Sequence, residues 1–75
     1  MNLSYDEFVL KYPEPYVVSF SRSDLDLDSL SDILQYDYTV HPALSWLSKL
    51  TICFGSKEDM DLAILLYSPD FVWNH

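Results

Sequence analysis

The pattern of polar and apolar residues near the N-terminus predicts a short helix. Ser4 stands three residues before Glu7, which is the spacing of a capping box at a helix start. Phe8 begins the apolar side of the segment. Pro13 ends the segment, because a proline disfavours helical geometry in the residue before it. We therefore expect a helix over about residues 5–11.

Two short runs of β-branched and aromatic residues predict the strands of a sheet. The first run covers residues 16–20, directly after a proline, and the second covers residues 50–54, where Gly55 follows. Such residues are enriched in strands because their side chains fit a pleated, half-buried surface. The sequence therefore predicts two strands at these positions.

Aspartate and leucine alternate over residues 24–28, after the first predicted strand. The alternation fits a strand with one wet face, and it fits equally an extended entry into a helix that Asp28 caps. We favour the extended entry, with Leu25 and Leu27 pointing inward. A helix over about residues 29–36 then follows.

A further short helix is predicted after a break at residues 39–42. Pro42 suits the first turn of a helix, where its missing N–H has no intrahelical partner. The apolar residues Leu44, Trp46 and Leu47 would be buried on this helix.

The last helix has the clearest start signal in the chain. Ser56 is followed three residues later by Asp59, which is typical of an N-cap and the third helical residue. This pair predicts a helix over about residues 57–67, which Pro69 ends. Its apolar side is expected to consist of Met60, Ala63, Ile64, Leu65, Leu66 and Tyr67.

Taken in order, these elements predict an α+β fold. The order is α-β-α-α-β-α, in a small single-layer or two-layer sandwich. The tail, residues 71–75, either adds a short C-terminal strand or lies across the core. Seventy-five residues form a single domain over residues 1–75.

Composition narrows the classes of function. A hydrophobic fraction of 49% argues against intrinsic disorder, and a single glycine excludes the glycine-rich loops that hold phosphates. We expect neither a membrane span nor a secretory signal, because the chain has no long apolar run and no basic N-terminal region.

The lone Cys53, among apolar residues, is expected to be buried in a protein of a reducing compartment. The predicted location is cytoplasmic.

The candidate metal and catalytic residues do not form a convincing site in the sequence. Asp24, Asp26 and Asp28 have the spacing of a calcium loop, but Ser29 and Gln35 replace its glycine and its final glutamate. The two histidines and Cys53 are not at the spacing of zinc ligands. We therefore predict no cofactor, no metal and no enzymatic activity.

Net charge is the strongest signal in the composition. Twelve acidic residues against four basic ones give −8, and such a surface repels nucleic acid and attracts basic proteins. The simpler interpretation is that the charge only keeps the protein soluble. The predicted partner-binding residues are Asp24, Asp26, Asp28, Asp32, Asp37, Glu58, Asp59 and Asp61.

In size, charge and compartment the chain resembles the small acidic inhibitors that bacteriophages and mobile elements encode. That resemblance implies a protein that blocks the basic cleft of a nucleic-acid-binding protein or complex by mimicking DNA, as inhibitors of restriction enzymes and of CRISPR effectors do. Its place of action would be the host cytoplasm. The protein would not bind nucleic acid or membranes itself, and a homodimer is compatible with the sequence.

The alternative hypothesis is a non-catalytic structural or regulatory subunit that binds through an apolar aromatic face. Trp46, Leu47, Phe71, Val72 and Trp73 would form this face, and the acidic residues would only keep the protein soluble. In so small a domain most of the candidate anchor residues are expected in the core instead. These residues are Tyr36, Tyr38, Trp46 and Trp73.

Overall fold

Polar side chains start each helix in residues 1–73, the part of the chain that the computed structural model describes. Ser4, Asp26 and Ser56 each accept a hydrogen bond from the backbone N–H three residues further on, which satisfies a donor that the first turn leaves free. The helices are α1 (Tyr5–Lys11), α2 (Leu27–Ile33) and α3 (Lys57–Leu66). None of them has the length and the apolar character needed to cross a lipid bilayer.

The four strands of this region form one sheet in which every neighbouring pair is antiparallel. The strands are β1 (Tyr16–Ser21), β2 (Tyr38–Val40), β3 (Lys49–Phe54) and β4 (Pro69–Val72). The order across the sheet is β2-β3-β1-β4.

The register of the two central strands gives the sheet two different faces. Val18 lies opposite Ile52 and Phe20 lies opposite Leu50, so these four apolar side chains point to the same side. There they form the main core with residues of α2 and α3. Burying the large apolar side chains on one face of the sheet is the principal stabilising contribution to the fold.

Helix α1 covers part of the opposite face. The ring of Tyr5 lies 4.7 Å from the ring of His41, which follows Thr39 on that face by strand alternation. Phe8 is fully buried but does not belong to the main core. The buried Thr39 and Cys53 also point to this second face. The sheet therefore has α2 and α3 on one side and α1 on the other.

The predicted α+β fold is confirmed, and the element order is approximately matched. The helix expected after Pro42 is wrong. Residues 41–48 form an irregular loop after the short strand β2. Hydrogen bonds from the loop to β3 replace helical ones, since Leu44 O accepts from the Thr51 hydroxyl and the Thr51 N–H donates to Ser45 Oγ.

Two predicted details of the helices also need correction. Helix α2 begins at Leu27, with Asp26 as its cap, so Asp28 lies within the first turn. The reason is that Ser29 donates both its N–H and its hydroxyl to the Asp26 carboxylate. At the end of α3, Leu65 and Leu66 are exposed instead of extending the apolar side.

The packing of α1 generates a first prediction. Phe8→Ala should lower the free energy of unfolding by about 3–5 kcal/mol, because it removes a fully buried ring and leaves a cavity. Leu10→Ala on the same helix is the control, since Leu10 is 86% exposed. It should change stability by no more than about 0.5 kcal/mol. Urea unfolding followed by circular dichroism measures both, and equal effects would contradict the burial of Phe8.

Candidate partner-binding surfaces

Four of the eight predicted partner-binding acids are exposed on α2 and α3, and two more, Asp24 and Asp26, are exposed just before α2. These two helices pack on the same face of the sheet, so their outer sides share one side of the molecule. We name the exposed acids of this region the acidic layer. It consists of Asp24, Asp26, Asp28, Asp32, Glu58 and Asp61.

Spacing along the helices places several of these carboxylates next to each other. Asp28 and Asp32 are four residues apart on α2, and Glu58 and Asp61 are three apart on α3. Residues at these separations are neighbours on a helix surface, with Cβ atoms about 5–6 Å apart. In addition, the hydrogen bonds from Ser29 hold the pKa of the Asp26 carboxyl below its usual range. That carboxyl therefore remains charged at neutral pH.

Asp59 is not part of this surface, although the sequence analysis counted it among the partner-binding residues. Only 2% of Asp59 is exposed, and its two carboxylate oxygens accept hydrogen bonds from the backbone N–H groups of Gln35 and Tyr36. The contact joins the chain just after α2 to the first turn of α3. A buried carboxylate needs such donors, because burial without them costs several kcal/mol.

Asp37 is likewise engaged within the fold. Its carboxylate accepts a hydrogen bond of 2.6 Å from Lys11 Nζ and one of 2.8 Å from the Tyr12 hydroxyl. The Lys11 bond first, and the Tyr12 bond second, hold the pKa of Asp37 below its usual range. Its side chain is 13% exposed. Asp37 thus connects the end of α1 to the start of β2. The charge of Lys11 largely compensates the charge of Asp37.

Basic residues are almost absent from the acidic layer. Lys57 is the only lysine or arginine of α2 and α3, and it pairs with Asp61 at 2.9 Å. Lys11 pairs with Asp37, and Lys49 pairs with Asp70 of β4. The guanidinium of Arg22 donates to the backbone oxygen of Trp46. The acidic layer therefore holds six of the twelve acidic residues of the chain and one lysine, while Asp6, Glu7 and Glu14 are exposed on or beside α1.

A second surface lies on the opposite face of the sheet, beside the part that α1 covers. Phe71 lies opposite Ser19 in the register of β1 and β4, so its side chain points away from the main core. Trp73 follows two residues later and points the same way. With Trp46 from the loop before β3, these rings line a cleft of about 340 Å³. We name it the aromatic cleft.

A chain of hydrogen bonds fixes one wall of the aromatic cleft. Trp73 Nε1–H donates to Ser19 Oγ at 2.7 Å, and Ser19 Oγ lies 2.6 Å from Thr51 Oγ1. The Thr51 hydroxyl donates to Leu44 O. Since a hydroxyl has a single proton, Ser19 must donate to Thr51. Every donor of the chain therefore has an acceptor within the protein.

The aromatic residues depart from the sequence-based expectation. Most were expected in the core, but only Tyr38 of the four is buried, while Tyr36, Trp46 and Trp73 are exposed. The predicted apolar face is also divided, because Val72 packs against the main core while Leu47 is exposed at the tip of the loop. The signal for this division is strand alternation. If residues 71–73 are extended, Val72 points to the opposite face from Phe71 and Trp73. The rest of the predicted tail, residues 74–75, lies outside the described residues.

The side chains with chemical reactivity occupy structural positions. Cys53 is fully buried, and this burial raises the pKa of its thiol to about 11, so the prediction of a buried cysteine is confirmed. His41 Nδ1 accepts hydrogen bonds from the N–H groups of Ala43 and Leu44. No group of three or more potential metal ligands is found in residues 1–73.

Comparison with known proteins finds no matching family model, no matching curated protein and no matching solved structure.

The contact of Asp59 generates a prediction. Asp59→Ala should lower the free energy of unfolding by about 2 kcal/mol or more, because the Gln35 and Tyr36 N–H groups lose their acceptors. Asp61→Ala is the matched control, since it removes the same charge from an exposed pair with Lys57 and should cost no more than about 1 kcal/mol. Chemical unfolding at neutral pH compares them. Equal losses would show that the Asp59 contact is not important for stability.

His41 generates a prediction about pH. Burial lowers the pKa of His41, so the folded protein favours the neutral ring that Nδ1 needs as an acceptor. The neutral His41 ring contributes to the free energy of unfolding above the unfolded-state pKa of about 6.5. This contribution is lost as the pH falls through the lower folded-state pKa. His41→Asn keeps a side-chain acceptor but does not titrate. The urea midpoint is measured at a pH just above this unfolded-state pKa and again at a pH about one unit below it. Between the two, the midpoint of the wild type should decrease, and that of the variant should decrease much less. An identical decrease in both would contradict the role of His41.

Proposed function

We propose that this protein is a non-catalytic inhibitor that occupies the basic nucleic-acid-binding surface of another protein. The observation that supports this proposal is a cluster of exposed carboxylates with little compensating charge. Six of them lie on α2, on α3 and in the segment before α2, with one paired lysine. Such a surface attracts a basic surface and repels nucleic acid.

The proposed mechanism is mimicry of a phosphate backbone. Duplex DNA has one negative charge per about 1.7 Å of helix axis, so a cleft built for it is lined with lysine and arginine. Neighbouring carboxylates about 5–6 Å apart on a helix surface can contact such a cleft at several points. Occupying the cleft would exclude nucleic acid by sterics and charge, without any chemical step.

Exposed leucines would add an apolar contribution to this interface. Leu65 follows Asp61 by four residues on α3, so the two side chains are neighbours on one stripe, and Leu65 is 80% exposed. Interfaces that bind tightly combine charged contacts with apolar residues that are desolvated on binding. In this proposal the carboxylates set the rate and specificity of association, and the leucine strengthens the bound state.

Inhibitors of restriction enzymes and of CRISPR effectors are the class to which this proposal assigns the protein. Such targets bind nucleic acid through large basic surfaces. They act in the cytoplasm of a bacterial host, which would then be the place of action of a phage-encoded inhibitor. The partner in this proposal is a basic protein or complex, and the protein does not contact nucleic acid itself.

Charge reversal tests the proposal. Asp32→Lys with Glu58→Lys should abolish capture of basic nucleic-acid-binding proteins from a bacterial lysate at low salt. Asp6→Lys with Glu14→Lys, which changes net charge equally outside the acidic layer, should reduce capture only slightly. For the wild type, the affinity for each captured protein should fall steeply between about 50 mM and 200 mM salt, because the contacts are screened. Circular dichroism verifies that both variants are folded.

Competition with DNA distinguishes inhibition from simple adhesion. Duplex DNA should displace the captured protein from the wild type, because both ligands need the same cleft. The proposal is wrong if the captured protein binds DNA and this protein together. It is also wrong if the two charge-reversed pairs weaken capture equally, because net charge alone would then explain the binding.

The aromatic cleft supports a second candidate function, a non-catalytic subunit that binds a partner through its apolar face. Trp46, Phe71 and Trp73 are 49%, 52% and 44% exposed, and they line the same cleft. Half-exposed aromatic residues at one site are typical of the centre of a protein interface. This surface and the acidic layer are on opposite faces of the sheet, so variants of one can be tested without changing the other.

A further inference from the structure

We propose that the aromatic cleft binds an arginine side chain of a partner protein. The inference rests on the second candidate function and deepens it by naming the group that the cleft receives. Its basis is the chemistry of the cleft walls, which consist of three aromatic rings, one carboxylate and one lysine that already has a partner. The residues lining the cleft are Ser19, Trp46, Lys49, Asp70, Phe71 and Trp73.

The aromatic walls provide π-systems on which a planar cation can stack. The indole N–H of Trp73 donates to Ser19 Oγ, so the exposed part of this ring has no free hydrogen-bond donor. Phe71 meets Trp73 edge to face, with ring centroids 4.9 Å apart and an interplanar angle of 79°. Aromatic faces attract cations because the ring quadrupole is negative there, and tryptophan is the strongest of the aromatic residues in this respect.

The loop that contains Trp46 is held in place from two sides. Trp46 and Lys49 exchange backbone hydrogen bonds of 3.0 and 3.1 Å, and Arg22 Nε donates to Trp46 O at 2.7 Å. The cleft is therefore formed before a ligand arrives. A preformed site loses less entropy on binding, which matters for a single side chain with a small contact area.

Asp70 provides the charged group that a guanidinium needs. It stands at a break in the register between β1 and β4, and its side chain is 42% exposed. Its partner is Lys49 Nζ at 3.2 Å. An arriving arginine would compete with Lys49 for this carboxylate, and arginine binds a carboxylate better because its planar fork can donate two parallel hydrogen bonds.

Charge complementarity selects a cation over other occupants. The carboxylate of Asp70 is 42% exposed beside the rings, so it attracts a cation and repels an anion. A neutral apolar side chain would gain nothing from Asp70. Among cations, arginine can stack on tryptophan and contact the carboxylate at the same time, whereas lysine acts as a point charge.

A peptide titration tests the inference on the intact protein. The probes are the peptide Gly-Gly-Arg-Gly-Gly and the same peptide with citrulline, the neutral isostere of arginine. The readout is the shift of the indole N–H signals of Trp46 and Trp73 in proton–nitrogen NMR spectra. The arginine peptide should bind more tightly than the citrulline peptide, by about two- to fivefold or more. Equal binding, or no binding of either peptide at millimolar concentration, overturns the proposal.

Three variants assign the binding to the cleft. Asp70→Asn should weaken binding of the arginine peptide, and Lys49→Met should strengthen it, because the methionine removes the competing cation and keeps an apolar stem. Glu58→Gln is the matched control for Asp70→Asn, since it removes one charge from the acidic layer on the other face. If Glu58→Gln and Asp70→Asn have the same effect, or if Lys49→Met has none, the site is not the one proposed.

The outcome is independent of the acidic layer. Failure of the arginine peptide to bind would remove this inference while the charge-reversal result for Asp32 and Glu58 still decides the inhibitor proposal. Binding of the citrulline peptide with equal affinity would identify the cleft as a purely apolar site. That outcome would leave the second candidate function in place but reject its arginine ligand.

Discussion

A buried carboxylate joins the first turn of α3 to the chain that follows α2. Asp59 accepts the N–H groups of Gln35 and Tyr36, at the point where the chain leaves α2 and turns towards β2. Gln35 and Tyr36 lie outside the helices and strands, so Asp59 supplies acceptors for two backbone N–H groups that secondary structure does not satisfy. One aspartate is thus used for structure, and the acids around it remain free to face a partner.

The antiparallel sheet separates the two proposed binding surfaces. Strand alternation directs Val18, Phe20 and Ile52 towards α2 and α3, and it directs Ser19 and Thr51 to the other face. The first face is covered by the helices that have the acidic layer on their outer side. The second face is covered only in part by α1, and the uncovered part is the aromatic cleft. The acidic layer and the aromatic cleft therefore lie on opposite faces of the sheet.

The local elements could be predicted because local interactions form them. Ser4 and Ser56 cap their helices as the sequence indicates, and the strand runs around Val18 and Ile52 are where β-branched residues predict them. The start of α2 was misplaced by two residues because Ser29 binds Asp26, a choice between two local caps. The larger error arises where a distant contact changes a local preference. The loop before β3 is not helical, because Thr51 in the adjacent strand binds Leu44 and Ser45. No local pattern reveals that contact.

The sequence by itself determined the fold class, the caps of α1 and α3, the buried Cys53 and the excess of negative charge, since each depends on composition or on residues a few positions apart. Only the tertiary structure decided which acids are available. Asp37 and Asp59 have the same side chain as Asp28 and Asp32, but the former meet distant donors and the latter face solvent. It also decided that Trp46 and Trp73, which are 27 positions apart in the sequence, line one cleft. The physical reason is that burial and hydrogen-bond partners depend on which strands and helices become neighbours.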